Sequence, residues 1–146
     1  MFSVCVFLAS GRGADPIFTE AARACGAGIA ARGWRLVYGG AHRGLMGELA
    51  DAALAAGGEV LGVLPRDLAA REIAHHGLTR LELVDSMAER KDRMFRASDG
   101  FLTLPGGYGT LVMTKRGQPD AVHLFSRNVA DRLSRELAGI ALWVIE

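Results

Sequence analysis

The chain has 146 residues, enough for one domain with a real hydrophobic core. Half of them are hydrophobic and 23% are charged, the balance of an ordinary globular protein, which excludes a disordered or fibrous chain. A formal net charge of +1 supplies no global attraction for nucleic acid or an anionic membrane, so neither is expected as a partner.

Residues 2–9 are a nearly continuous apolar run, the pattern of a strand buried on both faces of a parallel sheet. The run is too short to span a membrane and has no basic leader before it, so a cytoplasmic protein is expected. It empties into the loop Ser10-Gly11-Arg12-Gly13. Asp15 and Pro16 then start a helix, with a capping carboxylate and a proline at the first helical position. That helix runs to about Arg32 and stops at Gly33, with Ile17, Ala21, Ala24, Cys25 and Ile29 as its apolar stripe. Cys5 and Cys25 lie in apolar patterns without metal-like spacing, as free thiols of a reducing compartment do.

Trp34–Tyr38 is a second strand, and it too opens into glycines, at residues 39–44. From about Leu45 to Ala56, Met46, Leu49, Ala50, Ala53 and Leu54 repeat at helical spacing until Gly57-Gly58 ends the helix. Glu59–Leu64 is a third strand stopped by Pro65, and Leu81–Val84 a fourth. Ser86 and Glu89 make a capping box, in which the serine accepts from the N–H three residues on and the glutamate reaches back. The helix it opens extends to about Ala97, and Phe101–Leu104 is a fifth strand. Ala121–Ala138 reads as an amphipathic helix and Ile140–Ile145 as a sixth strand. Strands alternating with helices over short connections predict an α/β fold, a doubly wound parallel sheet of about six strands with helices on both faces.

Ligands of such sheets bind beyond the carboxyl ends of the strands. Three glycine loops fall there: 10–13, 39–44 and Gly106-Gly107-Tyr108-Gly109, which follows Pro105 and is closed by Thr110. Glycines let backbone N–H groups approach an anion, and a threonine hydroxyl beside them completes a phosphate cradle. The spacing is not that of a dinucleotide fingerprint. Arg90 or Lys91 shares a helix face with Met87 and Met94, and a cation on an apolar stripe needs a partner such as a phosphate or a structural acid. Glu72, His75 and His76 have the spacing of a metal half-site, but no second cluster accompanies them and a loop or surface role is expected. His42 is a turn residue or a ligand of its loop, and Glu48 either orients that loop or is solvated.

Several blocks together carry a family resemblance: Leu36-Val37-Tyr38-Gly39-Gly40, Gly44-Leu45-Met46-Gly47, Asp85-Ser86-Met87-Ala88-Glu89-Arg90-Lys91 and Pro105-Gly106-Gly107-Tyr108-Gly109-Thr110. Over residues 2–111 the sequence resembles the Lonely Guy family, the cytokinin riboside 5′-monophosphate phosphoribohydrolases, long described as possible lysine decarboxylases. The resemblance implies a Rossmann-like fold and a homodimer. It also implies hydrolysis of the N-glycosidic bond of AMP or an N6-modified AMP, without a metal or redox cofactor. By the same resemblance Ser10, Gly11, Gly39, Gly40 and the loop Gly106, Gly107, Tyr108, Gly109 and Thr110 hold the nucleotide, with Met87 and Lys91 beside them and Arg90 as the catalytic residue. The family's partner to that arginine is a glutamate three residues beyond the threonine, and here that position is Met113. The match stops at Leu111, so residues 112–146 are a divergent tail of the same domain or are read in a shifted frame. An enzyme with impaired turnover and a noncatalytic module binding a nucleoside monophosphate are both compatible with this departure.

Overall fold

The computed structural model describes residues 1–8, 11, 16–71 and 73–104. The helix expected at Ala121–Ala138, the strand at Ile140–Ile145 and the last glycine loop lie outside these. Within them the chain alternates as read from its pattern: β1 (Ser3–Phe7), α1 (Pro16–Ala31), β2 (Arg35–Tyr38), α2 (Gly44–Ala55), β3 (Glu59–Pro65), β4 (Arg80–Val84), α3 (Met87–Arg96) and β5 (Gly100–Thr103).

The five described strands form one parallel sheet in the order β4-β3-β2-β1-β5. The chain walks outward from β1 to β4, then returns to the far side of β1. The order therefore reverses between β1 and β5, and the crevice at such a reversal is where open α/β sheets bind ligands. Leu104 N–H donates to Phe7 O at 2.9 Å, so the two strands are still paired where the 105–110 sequence begins.

The period of two along each strand divides the core. Val4, Val6, Leu36, Tyr38, Val60 and Leu102 pack against α1 and α2. Cys5, Val37, Leu61 and Val63, each one residue out of step, pack against Met94 of α3. Helices thus cover both faces, which is why these strands read as unbroken apolar runs. On the first face α1 and α2 come unusually close. A Cβ on Gly26 of α1 would stand 2.1 Å from the Leu49 carbonyl oxygen of α2. On the second face Arg93 of α3 forks both oxygens of Glu82 on β4, Nε to Oε2 at 2.6 Å and Nη2 to Oε1 at 2.9 Å.

Candidate functional site

Tyr38 ends β2 fully buried, and its hydroxyl donates to Ala41 O at 2.8 Å. Burial drives its phenol pKa up, so the group is a fixed hydrogen-bond donor rather than a base. The short bond folds the chain tightly through Gly39 and Gly40, both buried. Gly40 has φ +80°, a conformation that L side chains rarely adopt.

α3 approaches this turn from the other side of the sheet. Ser86 Oγ accepts from Glu89 N–H at 3.1 Å, as a capping box requires. Glu89 reaches back one residue further than expected and accepts from Asp85 N–H at 2.8 Å. The cap fixes the start of α3 and hence the direction of Arg90, one turn in. Arg90 is only 3% exposed. Its Nη2 donates to Gly39 O at 2.6 Å and its Nε to Val63 O at 3.0 Å, while Nη1 stands 3.8 Å from Met87 Sδ. A Cβ on Gly39 would lie 2.3 Å from that Nη2 and 2.4 Å from Met46 Cε. The glycine is therefore the condition for the guanidinium to seat. The result is a cation clamped at the carboxyl ends of β2 and β3, and its charge pulls the Cys5 thiol and the Tyr38 phenol down against the larger effect of their burial.

Of the residues expected at the site, Gly39, Gly40, Met87 and Arg90 come together in this corner. Met87 is 40% exposed and caps it from outside, and Lys91 is half-buried on the same helix. Gly11 is exposed, with open space where a Cβ would be. Ser10, Gly106, Gly107, Tyr108, Gly109, Thr110 and Met113 lie outside the described residues, as does Glu72. Glu48 does not act as a bare solvated charge: its Oε2 accepts from Arg23 Nε at 2.7 Å and joins α2 to α1.

His75 and His76 lie in the connection between β3 and β4, as expected of a loop role, and His76 is exposed. His75 is not a surface residue but only 6% exposed. Its ring lies 4.6 Å from that of His42, edge-on at 77°. Its Nε2 is 2.6 Å from Asp51 Oδ1 on α2. The second cluster that the sequence lacked near His75 is supplied by tertiary structure, from residues 24 and 33 positions earlier in the chain. No local pattern could have revealed it, because a loop residue's neighbours across the fold leave no period in the sequence.

Fold and site together define a class, a Rossmann-like α/β protein with a buried cation beside a glycine turn at the carboxyl edge of its sheet. Residues 46–112 match the family model described as possible lysine decarboxylase, in keeping with the Lonely Guy resemblance of the sequence. It is 49% identical over 109 residues to a cytokinin riboside 5′-monophosphate phosphoribohydrolase of Rhodococcoides fascians, an overlap of 74% of this chain and 55% of that protein. A protein of the same name from Arabidopsis thaliana is 44% identical over 108 residues, 74% of this chain and 50% of its own. The chain spans about half the length of the curated relatives it matches. Among solved structures, the Moco carrier protein of Chlamydomonas reinhardtii superposes with a TM-score of 0.68 at 20% identity, covering 95% of this chain and 86% of that one, a likeness of fold alone. No described helix is long and apolar enough to cross a membrane.

Proposed function

We propose that this chain is a single domain that binds a purine nucleoside 5′-monophosphate, AMP or an N6-modified AMP, at the carboxyl edge of its sheet, as a cytoplasmic homodimer. The observation that carries the reading is the buried Arg90 guanidinium held against the Gly39 carbonyl at the end of β2. A cation fixed beside glycine turns is suited to an anionic ligand. In this reading Ser10, Gly11, Gly39, Gly40 and the loop 106–110 receive phosphate and ribose, Met87 and Lys91 also contact the nucleotide, and Arg90 is the catalytic cation. The names of the relatives support the substrate class.

Hydrolysis of the ribosyl bond builds positive charge on the sugar, which a carboxylate beneath the ring stabilises while it activates water. Met113 neither carries charge nor accepts a proton, so turnover is reduced by roughly 10²–10⁴. The same residue favours a second reading, a nucleotide-binding module without turnover. Base release from AMP and N6-isopentenyl-AMP, followed by chromatography beside calorimetric binding, separates the two. Measurable binding with slow release that Met113→Glu accelerates supports the impaired enzyme. Binding without release in either form supports the module, and no heat at millimolar AMP contradicts both. Sedimentation checks the dimer.

A further inference from the structure

We propose that His42, Asp51 and His75 form a binding site for a borderline divalent transition-metal ion of the Zn²⁺ type. The proposal does not rest on the nucleotide reading, since none of the three residues belongs to that site.

Three elements converge. His42 lies between β2 and α2, Asp51 on α2, and His75 in the connection from β3 to β4. One donor atom from each lies within 4.8 Å of the others. Two imidazoles and a carboxylate form a donor set suited to Zn²⁺, leaving one position for water, whereas Mg²⁺ and Ca²⁺ prefer oxygen ligands. The backbone that carries the two histidines is already fixed. His42 N–H donates to Ile73 O at 2.7 Å, His75 N–H donates to Gly40 O at 3.0 Å, and Ala41 and Ala74 form an antiparallel bridge between them. Little ordering entropy is left to lose when an ion binds. Access is also present: His42 is exposed and the Asp51 side chain is 55% exposed, while buried His75 closes the inner side.

In the metal-free state a proton does the ion's work. Gly77 N–H donates to His75 Nδ1 at 3.1 Å, so the neutral ring carries its hydrogen on Nε2 and donates it to Asp51. An ion bound at Nε2 sends that proton to Nδ1, with none released overall. Gly77 N–H then faces a donor and turns to water, which its exposed position allows. The contact between Nε2 and Oδ1, now 2.6 Å, widens to about 3.3 Å, the edge of a tetrahedron with metal bonds near 2.0–2.1 Å. The ion would clamp α2 and the 73–75 segment onto the turn that follows Gly39 and Gly40.

The test uses the full chain without a polyhistidine tag, stripped with chelator and titrated with Zn²⁺ by calorimetry and with Co²⁺ by visible absorption. Saturable binding of one ion per chain is expected, unaffected by Mg²⁺ and weakened at least about 100-fold by His42→Ala, a change at an exposed residue whose fold circular dichroism verifies. The Gly77 amide resonance should shift as the ion binds. No Zn²⁺ heat and no Co²⁺ band, affinity unchanged in His42→Ala, or a Gly77 amide that stays in place would each overturn the proposal and leave the cluster a proton-filled His–Asp clamp.

Discussion

Arg90 concentrates the energetics of the site in one side chain. Its guanidinium satisfies the carbonyls of Gly39 and Val63. Arg90→Ala should leave both without a donor and cost about 2–5 kcal/mol in urea unfolding, together with loss of AMP affinity. A cost under about 1 kcal/mol would mean that water replaces the fork. Glu82 shows the opposite scale of effect. Its hydrogen bonds from Arg93 hold its carboxyl below the usual range. A depressed folded value stabilises the protein fully above the ordinary glutamate pKa of about 4.3, and that contribution is lost as pH falls through the folded value. Solvent screening limits it to about 1 kcal/mol or less. Glu82→Gln should therefore lower stability slightly at neutral pH and not at all at a pH below both values, as paired denaturation curves would measure.

Between elements, the tightest constraint is the contact of α1 with α2. Gly26 meets the Leu49 carbonyl, which is backbone and cannot rotate away. Gly26→Ala gains helix propensity yet should destabilise by about 1–3 kcal/mol, because the helices must part. A stabilised variant would show that they slide freely. Among the described residues, the helix and strand limits were legible to within a residue or two, from Gly33 and Gly57-Gly58 as stops and from Ser86 as a cap. What escaped was the role of the β3–β4 connection, which makes no periodic pattern and is organised by pairing of residues 73–75 with 40–42.

For the molecule as a whole, the sheet separates two cores, with Cys5 in one and Cys25 in the other. Desolvation pushes the Cys25 thiol up to about 12 and raises Cys5 further, so neither forms thiolate in the folded state near neutral pH. Both should stay inert to a thiol reagent until the sheet opens. Their modification rates should then rise together with denaturant, since the cores share the strands of one sheet. Rapid labelling of one cysteine in native buffer would show that its face opens by itself.

The sequence by itself determined the alternation of the described strands and helices, the parallel sheet and the glycine turn after β2, because period, breaker residues and caps are local properties. It also marked Arg90 or Lys91, since a cation on an apolar helix stripe is anomalous wherever the helix packs. It did not determine where that cation would be held, nor that His75 would be buried against Asp51. Those depend on α3 and α2 lying on opposite faces of the sheet and on a loop crossing back over β2. Only the tertiary structure decides such contacts, because they join residues that no spacing along the chain relates.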